Sequence, residues 1–147
     1  MTISNRDNVC LGSAGLAIGS TTSQLSTARA VSVLINGRAN NVPVTATRTL
    51  TLTGVTSLAA RQTSCFFVMA DSSGTITTQQ SPVYTAIDAP SGYRPCAFEW
   101  PDPADKAVIG AIVIKSGASA FVPGTTALTG VATYIDAAVD YGKSIAF

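Results

Sequence analysis

The sequence predicts an all-β protein, an antiparallel β-sandwich or barrel-like domain with an extended N-terminal arm. Three observations support this fold class. Apolar and polar residues alternate with a period of two in several segments, and turn-forming residues separate those segments by roughly ten residues. No long stretch has the apolar repeat of about 3.6 residues that marks an amphipathic helix. We expect the arm to cover residues 1–22 and a single β-rich domain to cover residues 23–147.

The N-terminal arm is predicted from composition. Residues 1–22 are small, polar and rich in glycine, and chain termini of this kind often lack a packed core of their own. Two outcomes are open for such an arm: it stays disordered, or it becomes ordered only against a neighbouring subunit. In the second case we expect Leu11, Leu16 and Ile18 to make the contacts.

The first predicted hairpin follows the arm. Residues 31–35 alternate as a strand does, and Asn36-Gly37 comes next, a dipeptide that suits a type I′ turn. A longer alternation then runs over residues 42–53, with apolar side chains on one face and threonines on the other. Threonine is β-branched and favours strands. Because Pro43 has no N–H group, this strand begins there or lies at a sheet edge.

A second hairpin is predicted over residues 64–80. Ser64–Ala70 is apolar enough to be a strand that is covered on both faces. Asp71-Ser72-Ser73-Gly74 is a turn signal, and Thr75–Gln80 alternates as the partner strand. Ser81-Pro82 then ends the strand.

The later part of the chain begins with a loop. Residues 88–106 contain several prolines, which exclude a regular helix or a central strand there. The same loop carries the only tryptophan, Trp100. Val108–Ile114 is a short β-branched strand. Val131–Asp136 is another, with Tyr134 and Asp136 on one face.

Composition excludes several kinds of site. Charged residues make up 12% of the chain, against about 25% in an average soluble protein. Histidine is absent, which excludes histidine-based acid–base catalysis, Ser-His and Cys-His pairs and histidine-ligated metals. The net charge of +1 and the dispersed basic residues argue against nucleic acid as a partner. We expect no cofactor and no metal. Cys10, Cys65 and Cys96 are predicted to be buried, reduced thiols.

No catalytic residue is predicted. Glu99, Asp102 and Asp105 cluster in the proline-rich loop, but aspartate there is a typical turn former. Gly12-Ser13-Ala14-Gly15 lacks the lysine and the preceding strand of a phosphate-binding loop. The longest apolar run, Ala107–Ile114, is far shorter than the roughly 18 residues that cross a bilayer. We therefore expect a soluble chain made in a cytoplasm, with no membrane partner.

Several segments resemble small structural proteins of tailed bacteriophages. They are Trp100-Pro101-Asp102-Pro103, Lys106–Ile114, Phe121-Val122-Pro123-Gly124-Thr125-Thr126-Ala127-Leu128 and Val131–Tyr134, together with the earlier stretch Ala30–Arg38. In that family an apolar strand is followed by a Phe-x-Pro-Gly-Thr-Thr-Ala-Leu segment and a strand rich in threonine and tyrosine. The resemblance covers about half of the chain. It implies a place in the virion and carries over no catalytic residues.

The resemblance implies a non-enzymatic virion protein. We expect a capsid decoration or cement protein that binds and stabilises the shell of the major capsid protein. Its location would be the capsid surface of the virion, after synthesis in the host bacterial cytoplasm. Hydroxyl-rich surfaces suit this role because they cost much less to dehydrate than charged ones. We expect a homo-oligomer, a trimer on a local three-fold axis. The expected interface residues, against the capsid or another copy, are Leu11, Leu16, Ile18, Phe98, Trp100, Phe121 and Tyr134.

Two other classes of function stay open. The first is a structural component of a tail, neck or fibre. The second is a carbohydrate-binding β-sandwich, which would stack a sugar on an aromatic ring and accept hydrogen bonds on a carboxylate. Its candidate residues are Trp100, Tyr93, Tyr134, Asp102 and Asp105. A hydrolase fits less well, because without histidine its base would have to be a carboxyl group with a perturbed pKa.

Overall fold

The computed structural model of the chain describes residues 8–42, 50–51, 56–85, 101 and 103–136. All regular secondary structure in these residues is β-strand, and their strand pairings are antiparallel. The predicted all-β, antiparallel fold is therefore confirmed. The strands are β1 (Val9–Cys10), β2 (Leu16–Ile18), β3 (Gln24–Thr27), β4 (Val31–Ile35), β5 (Arg38–Val42), β6 (Leu50–Thr51), β7 (Gln62–Asp71), β8 (Ile76–Gln80), β9 (Tyr84–Thr85), β10 (Lys106–Lys115) and β11 (Ala132–Asp136).

A five-stranded sheet contains the two longest strands. Its order is β11-β10-β7-β8, and β9 also pairs with β7. Residues 63–70 of β7 and 107–114 of β10 are all buried, as expected for strands with both faces covered. The predictions for Ser64–Ala70 and Val108–Ile114 are thus confirmed. The predicted hairpin is also present, because Gly74 N donates to Asp71 O (3.0 Å) in the turn between β7 and β8.

Two three-stranded sheets, β1-β4-β5 and β2-β3-β6, share an apolar core with one face of the five-stranded sheet. Alternation along β4 buries Val31, Val33 and Ile35 in this core and leaves Ser32 exposed. Sheets packed around a shared core in this way form a β-sandwich. The opposite face of the large sheet carries a smaller buried cluster: Cys65, Phe67, Ala111, Val113 and Ile135.

The turn of the β4–β5 hairpin has the predicted conformation. Asn36 and Gly37 have φ angles of 51° and 77°, and a type I′ turn requires positive φ at both central residues. The longer strand predicted over 42–53 is described only at Val42, where β5 ends, and in β6. Residues 43–49 and 52–55 lie outside the described part of the chain.

The prediction of a separate arm over residues 1–22 is wrong for residues 8–22. β1 pairs with β4, and β2 pairs with β3. Cys10, Ala14 and Leu16 are buried in the main core. Strands of two or three residues show no apolar period, yet each can bury one or two side chains against sheets that other segments provide. Residues 1–7 lie outside the described part of the chain.

Asn8 fixes the start of this segment to two other parts of the fold. Its side chain is buried, and Nδ2 donates to the carbonyl oxygens of Pro103 (3.0 Å), Ala104 (3.1 Å) and Lys106 (3.1 Å). Its Oδ1 accepts from Asn36 N (2.9 Å), in the turn after β4. One amide therefore links the start of β1 to the β4–β5 turn and to the entry of β10.

We expect Asn8→Ala to lower the free energy of unfolding by about 1–3 kcal/mol, because it leaves the Asn36 N–H and the surrounding carbonyl groups without this partner. Asn8→Asp should cost at least as much, since it places a carboxylate beside three carbonyl oxygens. Urea unfolding followed by circular dichroism measures both effects. The matched control is Asn41→Ala, at an exposed asparagine of β5, which should change stability little. Equal stability of Asn8→Ala and the wild type would contradict this role.

Candidate interaction surface

The described part of the chain includes a surface region without charged side chains. No charged residue occurs in the segments 49–60 and 116–135, and the fold places exposed positions of both segments side by side. The exposed, charged Arg61 and Lys115 border this region. We call this region the neutral surface. Its exposed residues are Thr56, Ser57, Ala59, Ala60, Gly117, Ala118, Ser119, Ala120, Val122, Thr125, Ala127, Thr129 and Gly130.

Backbone hydrogen bonds join the two segments of the neutral surface. Leu58 and Phe121 form an antiparallel bridge in which each N–H donates to the other's carbonyl oxygen, with both N···O distances 2.9 Å. Arg61 N donates to Gly117 O (2.9 Å). The side chains of Leu58 and Phe121 are buried in the main core. The bridge therefore anchors both segments to the sandwich beneath them.

Ser116 holds one end of the neutral surface in place. Its buried hydroxyl donates to Ala59 O (2.6 Å) and accepts from Gln62 N (2.8 Å). The Gln62 side chain closes the same turn, because its Oε1 accepts from Ala59 N (2.7 Å). A short loop with this many internal hydrogen bonds has few alternative conformations, so it presents its exposed residues in a fixed arrangement.

The Phe121–Leu128 segment forms the other part of the surface. Phe121 and Leu128 are both buried and hold its two ends. Between them, Gly124 has a φ of 78°, which favours glycine, and Thr126 N donates to Val122 O (2.8 Å). The Thr126 hydroxyl accepts from Val122 N (2.9 Å). The threonines and glycine of this segment therefore close a turn, and its remaining side chains face outward.

The described residues contain no group of three cysteine, aspartate or glutamate side chains placed to hold a metal ion. No helix in that part of the chain is long and apolar enough to cross a bilayer. Comparison of the chain with protein-family models, with curated proteins and with solved structures gave no match. The function therefore has to be argued from the surface and its chemistry.

The titratable groups with perturbed pKa values among the described residues are Cys65, Asp71 and Tyr134, and none is an exposed residue of the neutral surface. Burial raises the pKa of the Cys65 thiol to about 12, so this side chain stays protonated and unreactive at neutral pH. Burial also raises the pKa of Tyr134. The Ser73 hydroxyl, which donates to Asp71 Oδ1 (2.6 Å), lowers the pKa of Asp71 together with the Thr75 N–H. Cys10 and Cys65 are buried thiols outside any disulfide, as predicted. Cys96 lies outside the described residues.

The structure separates the residues predicted to form the interface. Leu11 and Ile18 are 58% and 36% exposed and remain available to a partner. Leu16 and Phe121 are only 7% and 1% exposed, so their prediction as contact residues is corrected: both side chains complete the chain's own core. Tyr134 is half-buried, and among the described residues its buried hydroxyl has no hydrogen-bond partner.

The loop that carries the other predicted residues is described at few positions. Phe98, Trp100, Tyr93 and Asp102 lie outside the described part of the chain, and Asp105 is exposed. The predicted grouping of Trp100 with Asp102 and Asp105 therefore stays a prediction.

The neutral surface itself was not predicted. Its signal is present in the sequence, as two long segments without a charged residue. Those segments are far apart along the chain, so only the three-dimensional contacts, the Leu58–Phe121 bridge and the Ser116–Ala59 hydrogen bond, show that they adjoin.

Proposed function

We propose that this chain is a non-enzymatic structural protein of a bacteriophage virion, a decoration or cement protein that binds the shell of the major capsid protein and stabilises it. The neutral surface is the observation that carries the proposal. It is exposed and held in shape by backbone and hydroxyl hydrogen bonds, and its own exposed residues carry no charge, with Arg61 and Lys115 at its border. The Phe121–Leu128 segment, which resembles a segment of small virion proteins, builds half of it.

Covering a surface of this kind costs little free energy of dehydration. Threonine and serine hydroxyls lose less on leaving water than charged groups do, and they can re-form hydrogen bonds to a partner. A charged side chain would need a matched, opposite charge on the shell to avoid a larger loss. The neutral surface therefore fits a partner that covers it permanently.

Stabilisation of the shell follows from binding across subunit boundaries. A ligand that binds only the assembled shell lowers the free energy of the assembled state and leaves that of the separated subunits unchanged. A cyclic oligomer, with a trimer on a local three-fold axis as the expected form, places several such contacts on neighbouring subunits at once. The exposed Leu11 and Ile18 side chains add apolar contact area outside the neutral surface.

The proposal predicts that virions of the phage that encodes this chain carry it on the head and need it for thermal stability. Particles made without it should release their DNA at a lower temperature, and adding the purified protein back should restore the release temperature. Imaging of labelled protein on intact particles locates it. Particles that lack the protein on their shell and melt at an unchanged temperature would contradict the proposal. Label on the tail or neck would support the alternative structural role.

A charge-insertion variant tests whether the neutral surface is the contact. Thr125→Glu combined with Ala127→Glu adds two carboxylates at exposed positions. We expect at least about tenfold weaker binding to shells, because an unpaired charge loses free energy when it is buried. Ala39→Glu, at an exposed position of β5, is the matched control and should bind as the wild type does. Equal binding by all three proteins would place the contact elsewhere.

A further inference from the structure

The outer side of strand β8 is a sheet edge without a partner strand among the described residues, because β8 ends the order β11-β10-β7-β8. In an antiparallel pair, the backbone groups of alternate residues point toward the partner strand and those of the residues between them point away. Ser81 N donates to Cys65 O (2.8 Å), and Asp71 N donates to Thr75 O (3.0 Å). These bonds show that the odd-numbered residues of this strand are the ones whose backbone N–H and C=O groups point toward β7.

The even-numbered residues of β8 therefore present their backbone N–H and C=O groups at the edge. They are Ile76, Thr78 and Gln80, paired in register with Ala70, Val68 and Phe66 of β7. A groove of about 530 Å³ runs beside them, lined by Thr56 and by residues 78–83. The edge is thus unpaired within the described chain, with Thr56 beside its Gln80 end.

β8 lacks the features that usually protect an edge strand. Charged side chains, proline and bulges are the common protections, and Ile76–Gln80 contains no charge and no proline. The end of the strand is tied to the neighbouring segment, because Gln80 Oε1 accepts from Thr56 N (2.7 Å) and Gln80 Nε2 donates to Thr56 O (3.1 Å). A fixed, uncharged edge of this kind is ready to pair with another strand.

We propose that β8 pairs with β8 of a second copy of this chain, antiparallel, across a two-fold axis at Thr78. Thr78 then faces Thr78, Ile76 faces Gln80 and Thr77 faces Gln79. Each pair formed by the outward-facing residues exchanges two backbone hydrogen bonds. The pairing joins two five-stranded sheets into one continuous sheet.

Charge and side-chain chemistry favour a second copy as the occupant. A two-fold axis places a residue opposite itself, so a charge at the centre would meet the same charge, which destabilises a cross-strand pair. Thr78 at the centre avoids this, and Thr–Thr pairs stabilise antiparallel strands. Thr77 and Gln79 bring a hydroxyl and an amide together on the other face.

The contact is small, so it is weak between free chains. A pair of five-residue strands buries less surface than a standard stable interface does. Copies fixed side by side on a particle have a high effective concentration, which makes such a contact effective there. The pairing is nevertheless a property of β8 alone and does not depend on the proposed shell binding.

Sedimentation of the full chain over a wide range of concentrations tests the pairing. The wild type should shift from monomer to dimer as concentration rises. Thr78→Lys and Thr78→Glu, each alone, should raise the dissociation constant at least about tenfold, because like charges then meet at the axis. An equimolar mixture of the two variants should dimerise again, since lysine then faces glutamate. The matched control, Thr133→Lys on β11 at the opposite edge of the sheet, should dimerise as the wild type does. Circular dichroism confirms that each variant is folded.

Several outcomes would overturn the pairing. A wild-type protein that stays monomeric at every concentration contradicts the pairing. If Thr78→Lys then still weakens binding to the shell, the β8 edge pairs with a strand of the shell protein and not with a second copy. A trimer unaffected by Thr78→Lys places the self-contact elsewhere. Failure of the lysine and glutamate variants to recombine rejects the axis at Thr78. The protein could dimerise as expected and yet be absent from purified virions. That result would support the pairing and contradict only the proposed function.

Discussion

Replacement of Phe66 by alanine is expected to lower the free energy of unfolding by about 3–5 kcal/mol, the range for truncating a buried phenylalanine. Phe66 lies in the middle of β7, is 0% exposed, and belongs to the core that all three sheets share. It is paired in register with Ile112 of β10 and Gln80 of β8. Paired strands on both sides of β7 leave the backbone little freedom to close the cavity, so the loss should fall toward the upper end.

The size of this effect matters because a single domain is stable by only about 5–15 kcal/mol. Denaturant unfolding followed by circular dichroism gives the change directly. Val122→Ala is the control, since Val122 is 41% exposed on the neutral surface and its truncation should change stability by less than about 0.5 kcal/mol. A loss of less than about 1 kcal/mol for Phe66→Ala would contradict a core centred on β7 and β10.

The parts of the fold that could be predicted are those with a local cause. Alternation over residues 31–35 and the Asn36-Gly37 turn lie within one short segment, and so do β7, its Asp71–Gly74 turn and β8. Side-chain alternation and turn geometry depend on a few neighbouring residues, so the sequence carries them directly. The burial of both faces of β7 was predicted for the same reason, from its apolar run, and β10 was predicted as a strand from its β-branched residues.

The parts that could not be predicted depend on contacts between distant segments. β1 and β2 contain two and three residues, too few for a period, and residues 8–22 join the domain through partners far along the chain. Asn8 bonds to the carbonyl groups that precede β10, and no local pattern indicates such a bond. The polar, glycine-rich composition of residues 8–22 therefore predicts an arm, although the segment belongs to the core.

Two of the predicted interface residues are buried for a related reason. Leu16 and Phe121 were chosen because large apolar side chains concentrate binding energy at interfaces, but a domain with few large apolar residues needs the same side chains for its core. Phe121 fills the space beside Leu58, and its neighbours Val122 and Thr125 are exposed. Which residue of such a segment faces outward depends on the turn at Gly124, which only the three-dimensional structure reveals.

A methyl group at Gly110 is expected to destabilise the protein by about 1–3 kcal/mol or more, the usual cost of overpacking a core. Gly110 lies within β10, next to the point where the register with β7 shifts. A Cβ atom added there would overlap Leu16 Cδ1 and lie 2.7 Å from Ile135 O. The leucine side chain can move, but the carbonyl belongs to the backbone of the neighbouring strand β11, so Gly110→Ala must displace one strand from the other.

The same variant tests whether residues 8–22 belong to the core. Combined with Leu16→Ala, Gly110→Ala should cost at least about 0.5 kcal/mol less than the sum of the two single changes, because the leucine that causes part of the overlap is gone. Part of the loss should remain, since the added Cβ still lies too close to Ile135 O. Gly117→Ala, where an added Cβ has no atom within 4 Å, is the control and should leave stability unchanged. Simple additivity of Gly110→Ala and Leu16→Ala would mean that Leu16 does not pack on β10, and β2 would then lie outside the core after all.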